Sequence, residues 1–434
     1  MNKKIIILFL AMLLLTSVIN IPAKILQNNK ENTNILNLKP SLIDQCWIKV
    51  FGGKDNDDIG YSIIQVDDGY VIAGQHPSLK IWLFKLDSNG EKIWAKDFGK
   101  GRAYDLKQTT DGGFIIAGSY TFRTSCSLST YPSSIKLIKT DNMGQKEWVK
   151  VFDSNEEHGF SVSQTRDGGF ILSGDNATGK DYNHHRPVLI KTNSNGDLEW
   201  KKVLDLQRNL KKYINKVEET KDGYILIGDS VIKTNREGDY ISHFQTDGYQ
   251  GQQTNDGGVV VVGKIDQSFY DSDLLLQKYK INGELEWEKV YGGKNNDYGN
   301  SVKQTSDGGY IITGQKESET EENLFGYYSY VWIIKTDRNG EIEWQRFYSV
   351  GKDKDDSGSY ITQTSDNGYV LIGKCGCRDY FVFPIHSVSY NLIVIKTNEE
   401  GKVKLNNNII KGYFKTNLLN FLNTKTLIKN IINL

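Results

Sequence analysis

Carboxylates are the groups in this 434-residue chain best placed to do chemistry, and they crowd into a few short stretches. Asp353-x-Asp355-x-Ser357-Gly358 begins like an oxygen-ligand loop for calcium, with Asp353, Asp355 and Asp356 as candidate ligands. No glutamate stands at the twelfth position, where such a loop carries its bidentate ligand. A second set, Asp58, Asp297 and Asp356, lies seven residues before three copies of a recurring glutamine, Gln65, Gln304 and Gln363. Oxygen-rich groups of this kind hold calcium or grip sugar hydroxyls, while an aspartate opening Asp-x-Gly-x-Ser equally caps backbone amides in its own turn. Tyr327, Tyr328 and Tyr380 occupy neighbouring segments, and their flat faces suit sugar rings or peptide side chains.

Nothing else in the sequence points to catalysis. His76, His158, His184, His185 and His386 show no His-x-x-x-His spacing, and the four cysteines form no Cys-x-x-Cys pair. They read as loop residues rather than metal ligands. Lysine plus arginine (53) balances aspartate plus glutamate (53), so no global field draws the chain to nucleic acid.

The elements that must position these residues emerge from self-similarity. A phrase close to Gln-Thr-x-Asp-Gly-Gly, followed by alternating apolar residues and a glycine, begins at Gln65, Gln108, Gln164, Gln253, Gln304 and Gln363. A degenerate copy spanning Glu218 to Gly228 makes seven. Each is followed by an apolar strand ending in a lysine (Lys85, Lys139, Lys191, Lys233, Lys278, Lys335, Lys396) and a turn near Thr-Asp-x-x-Gly. Four residues past that glycine stands Trp94, Trp148, Trp200, Trp287 or Trp344, with Ser242 and Leu405 as exceptions.

A period of about 50 residues with two tight turns is that of a four-stranded propeller blade. Asp-Gly and Asn-Gly supply the positive φ that short hairpins need. The first unit reads as strands a (61–66), b (70–73), c (81–86) and d (92–98). The expected fold is therefore all-β, a seven-bladed β-propeller over residues 46–410. Trp47–Gly53 matches a strand d with its exit, so the N-terminal strand is expected to complete the last blade, with 402–405 as the competing strand. Cys46 then lies at the opposite end of its blade from Cys375 and Cys377, about 17 Å away along a five-residue strand. No bridge spans that distance.

The a–b and c–d turns share one face and are short. The b–c and d–a connections share the other, and the long ones there carry the aromatics. Asp297, Asp356 and Asp58 belong to the sixth, seventh and first units, and so form an acidic arc at the channel mouth on the long-loop face.

The repeats resemble those of uncharacterised secreted prokaryotic β-propeller proteins with Gln-Thr-x-Asp-Gly-Gly-Tyr and Lys-Thr-Asp-x-x-Gly-x-x-x-Trp phrases. Asp87/Gly90/Trp94, Asp141/Gly144/Trp148 and Asp337/Gly340/Trp344 are more distantly similar to the tryptophan-docking motif of quinoprotein-type and kelch-type propellers. That resemblance implies blade-to-blade locking. It does not carry pyrroloquinoline quinone with it, because Cys375-Gly376-Cys377 is not the vicinal cysteine pair of those enzymes.

Lys3, Lys4, the apolar run 5–18 and Ile21-Pro22-Ala23 read as a signal peptide over 1–23, followed by a polar leader over 24–45. The expected location is extracytoplasmic, secreted or on the cell surface. Residues 411–434 form a basic, partly helix-periodic tail able to touch the cell envelope. The expected function is a non-enzymatic scaffold or recognition module that takes a glycan or protein on its long-loop face and needs no cofactor, with calcium as the one candidate ion. A carbohydrate-active enzyme using loop carboxylates is the alternative; it would need two carboxyl groups roughly 5 to 9.5 Å apart.

Overall fold

The computed structural model describes residues 46–52, 58–76, 78–121, 133–152, 157–176, 186–204, 214–268, 271–317, 328–350, 355–377 and 389–403. Their strands form seven antiparallel four-stranded sheets, each paired in the order a-b-c-d. The innermost strands are Ile59–Val66, Arg102–Gln108, Glu157–Gln164, Ile214–Glu219, Gly248–Gln253, Asp297–Gln304 and Asp356–Gln363. Each touches the innermost strand of the next blade, and the seventh touches the first, so the ring is closed. This is a seven-bladed β-propeller.

Strands b and c are continuous buried runs, such as Gly69–His76 and Lys80–Asp87, because blades cover both their faces. Strand d alternates exposed and half-buried residues, as an outermost strand should. The ring closes through Trp47–Phe51, which pairs antiparallel with Ser389–Thr397, from Trp47 opposite Lys396 to Phe51 opposite Leu392. The N-terminal strand is thus strand d of blade 7, and residues 402–403 form no strand there. Cys46 precedes that strand, next to Lys396 and Asp366, whereas Cys375 pairs with Asp356 and Asn391 at the blade's other end.

Two repeated devices join the blades. In the first, each tryptophan of strand d lies on the c–d turn glycine of the next blade. A Cβ on Gly144 would stand 2.6 Å from the Trp94 ring, and Gly196, Gly340 and Gly401 meet Trp148, Trp287 and Trp344 in the same way. Glycine is needed there for space and for a positive φ, +71° at Gly144. Trp47 closes the series on Gly90 and donates its indole N–H to Ser88 O at 2.9 Å. In the second device, the repeat glutamine of one blade accepts from a turn amide of the blade before it. Thr110 N donates to Gln164, Asn255 N to Gln304 and Ser306 N to Gln363, at 2.9, 2.8 and 2.8 Å. Ser365 N donates to Gln65 across the closure at 2.8 Å.

Blade 4 corrects the sequence register by one residue. Glu219, not Glu218, takes the glutamine position and accepts from Arg166 N at 2.9 Å. The a–b turn of this blade is one residue shorter than the consensus, as it is in blade 1, and that shifts the alignment.

The strand c lysines are structural as well. Lys139, Lys191, Lys278 and Lys335 are nearly wholly buried, and each pairs with the aspartate of its own a–b turn and a glutamate of strand d. Lys396 pairs with Asp366, and Lys85 with Asp68. A buried ammonium is tolerated when paired and hydrogen-bonded in this way.

Candidate functional site

The residues singled out on the long-loop face fall into two groups. Tyr327, Tyr380 and Asp353 lie outside the described residues. Asp58, Asp297, Asp355, Asp356 and Tyr328 are described, and most of the contacts found for the carboxylates tie down the protein's own backbone and loops. Asp297 is wholly buried; its carboxylate accepts from Lys316 Nζ at 2.5 Å and Glu317 N at 2.9 Å. Burial pushes it up to about 6, with Lys316 and the Glu317 amide pulling the other way and Asp273 adding to the rise. Asp356 is wholly buried too, and accepts from Val350 N at 2.7 Å. Asp58 is half-buried beside Gly52. Tyr328 is half-buried just before strand c of blade 6.

Asp355 joins blades 6 and 7. It accepts from Tyr390 OH at 2.9 Å and Ser329 Oγ at 3.2 Å, and its carbonyl accepts from Gly376 N at 2.9 Å. Lys374 stacks on the same Tyr390 ring at 4.4 Å. Among the described residues no three acidic, histidine or cysteine side chains converge as a metal site.

A second cluster, which the sequence reading missed, lines the channel. Every innermost strand carries a bulge, and the residue just past it occupies equivalent register positions around the ring: Ser62, Asp105, Ser161, Lys216, Gln250, Ser301 and Tyr360. Two residues further on, Lys107 and Lys303 project from blades 2 and 6. Asp105 is the hub. Its Oδ1 accepts from Lys107 Nζ at 2.8 Å and from Leu106 N at 3.0 Å. Its Oδ2 accepts from Ser161 Oγ at 2.8 Å and Val162 N at 3.2 Å, with Lys216 Nζ 3.6 Å away. Burial works against ionising Asp105, but Lys107, Lys216 and these hydrogen bonds hold its carboxyl far below the usual range. On Lys107 burial is likewise outweighed, here by Asp105, and its ammonium is held well above its ordinary value.

Lys216 titrates low. Burial is the main cause; Asp105 pulls the other way, and the charges of Lys107 and Lys303 add to the fall. Lys303 lies 5.0 Å over the Tyr360 ring. Burial alone would raise the Tyr360 phenol, yet Lys303, Lys107 and Lys216 together bring it down to about 8. On the long-loop side of this charged tier run consecutive aromatics. Tyr61 meets Tyr104 at 5.3 Å between ring centres, and Tyr104 meets Phe160 at 5.5 Å.

No protein-family profile matches the chain, and no curated protein matches its sequence. Among solved structures it is similar to a mannose phosphorylase from Leishmania mexicana in complex with phosphate ion (11% identity, TM-score 0.35, covering 70% of this chain and 88% of that one). It is also similar to the Dos1 propeller (11%, TM-score 0.31, 80% and 70%) and to a puromycin hydrolase S511A mutant complexed with PGG (10%, TM-score 0.44, 74% and 52%). At these levels the likenesses carry no argument about function.

Proposed function

We propose that this chain is a non-enzymatic recognition module working outside the cytoplasm, with a glycan or protein ligand seated on the face shared by the b–c and d–a connections. One observation carries the reading: the repeated tryptophans, lysines, aspartates and glutamines are taken up in joining strands and blades. Individuality is left to the channel and to the long-loop face, and loops of differing length on a rigid ring are where ligand contacts usually sit. The apolar run and cleavage pattern at the N-terminus support export, and the basic tail supports contact with the envelope.

The test is a glycan array and a cell-envelope pull-down with the full secreted chain, set beside a variant whose connections 318–327 and 378–388 are replaced by short Gly-Ser links. We expect binding by the parent that the trimmed ring, unchanged in its circular dichroism, has lost. Binding that survives trimming would overturn the assignment of the face. Turnover of an oligosaccharide would overturn the non-enzymatic reading.

A further inference from the structure

We propose that the central channel is an anion site, built for a small oxyanion of the phosphate or sulfate type and held by Lys107, Lys216 and Lys303. This site lies below the long-loop face and does not depend on what that face binds.

The first argument is charge. Two ammonium groups, Lys107 and Lys216, converge on one carboxylate, Asp105, whose two oxygens already accept from Lys107, Leu106 N, Ser161 and Val162 N, and a third, Lys303, acts on the same cluster through Tyr360. Glu218 lies two residues past Lys216 in the same strand, but its carboxylate accepts from Gln253 N at 3.3 Å. Lys303 has no carboxylate partner among the described residues, and its contact is the Tyr360 ring. Three ammonium groups against the carboxylates of Asp105 and Glu218 leave an excess of positive charge, and an oxyanion offers several acceptor oxygens to these donors where chloride offers a single centre.

The second argument is position. The three lysines stand on the innermost strands of blades 2, 4 and 6, so they approach the axis from well-separated directions. Solvent reaches the cluster, since the Lys107 side chain is 27% exposed and Lys303 and Tyr360 are half-buried. Asp105 answers Lys107 and Lys216 but not Lys303, and the excess of cations in a narrow space is unfavourable until a further anion offsets it. The repeat offers a contrast. Every other buried lysine paired with a turn aspartate has its counter-charge supplied by its own blade, as Lys335 does with Asp307 and Glu343.

The third argument is donor chemistry. Ammonium groups are charge-assisted donors to oxyanions, and the Tyr360 phenol adds a donor while it stays protonated. Above about pH 8 that phenol ionises. It then competes with the anion for the same cations, so affinity falls as pH rises through that value. Asp105, held far below the usual carboxylate range, stays ionised across this range and does not change the sign.

The experiment uses the full chain. Thermal unfolding is followed in sulfate, in phosphate and in chloride matched for ionic strength. We expect saturable stabilisation by sulfate and phosphate that chloride does not give, and affinity about 10-fold weaker in Lys216→Met and in Lys303→Met, the loss expected from one charge-assisted contact. Equal stabilisation by chloride, or full retention of the effect in Lys216→Met/Lys303→Met, would overturn the site. Should the methionine variants fold poorly, a second reading decides. The phenolate absorbance of the parent minus that of Tyr360→Phe titrates near pH 8 without sulfate. Its midpoint should move up when sulfate is bound, because the dianion cancels the ammonium field, and an unmoved midpoint would also overturn the site.

Discussion

Blades 4 and 6 share one strand order and one bulge pattern, yet their joints use different chemistry. In blade 6, Lys335 is held between Asp307 at 2.8 Å and Glu343 at 2.9 Å, Trp344 lies on Gly401, and Gln363 of the next blade accepts from Ser306 N. In blade 4, Lys233 donates instead to Ile281 O of blade 5 and has no carboxylate partner among the described residues. Ser242 occupies the tryptophan position. Phe244, two residues further along and therefore on the same face of the strand, fills the space over Gly283. Both blades nevertheless carry the same two bulges, one in strand a and one between strands c and d. The bulged ladder sets the blade, and the side chains at its joints are exchangeable among groups of suitable size. The most repeated residues of this protein are therefore its least specialised.

The sharpest way to break that view is to remove ladder rather than side chain. Deleting residues 46–53 takes strand d from blade 7, exposes the backbone edge of Ser389–Thr397 and removes Trp47 from Gly90. We expect the largest loss of any change considered, a fall in the unfolding temperature together with a tendency to associate through the open edge. Trp47→Ala alone leaves the strand in place and should cost about 3–5 kcal/mol. A deletion variant that melts with the parent would mean that another segment can close the ring.

Much of this architecture was legible because it repeats. The 50-residue period, the Asp-Gly turns and the stray strand at Trp47–Gly53 specify seven blades and the manner of closure, since each is a local pattern with a local cause. What the sequence hid lies where the repeat fails. Phe244 was invisible because the eye looks for tryptophan at 242. The register of blade 4 slipped by one because a shorter turn moves Glu219, not Glu218, into the glutamine position. The channel cluster escaped because Asp105, Lys107, Lys216, Lys303 and Tyr360 sit at positions where the other blades carry unrelated residues, mostly serine and glutamine but also Ile64, Glu218 and Thr362, so no repeat marks them. One trace was available: Lys107-Gln108 and Lys303-Gln304 place a lysine immediately before the repeat glutamine of an innermost strand, a poor place for a charge without a partner across the channel. Asp297 and Asp356 were found in sequence, but their burial and backbone contacts follow from packing that no spacing reveals.

A smaller effect separates the two lysine environments. Asp307→Asn with Glu343→Gln strands the Lys335 ammonium in a buried site, and should cost about 3–5 kcal/mol. Lys233 in blade 4 is more exposed and leans on a carbonyl, with burial alone lowering its pKa. Lys233→Met should therefore stay within about 1 kcal/mol of the parent. Urea midpoints compare the two directly. Equal losses would show that the carboxylate pairs around Lys335 do no more than the carbonyl beside Lys233.

The smallest expected effect tests whether the joint is generic. Exchanging the two residues, Ser242→Trp with Phe244→Ser, gives blade 4 the consensus arrangement. Ser242 pairs with Lys233 as Trp344 pairs with Lys335, so the new indole starts from the register of its counterparts. The exchange adds some volume but keeps one aromatic ring between strand d and Gly283, and substitutions that keep volume and shape in a core usually cost less than about 1.5 kcal/mol. We expect a change of that size or less, of either sign, with the ring contact to Tyr279, 5.3 Å from Phe244, remade by the indole. Trp200 does the same against Tyr224 at 5.9 Å. A loss as large as that of Phe244→Ala would show that blade 5 is shaped to phenylalanine, and that the joint between blades 4 and 5 is a specialised one.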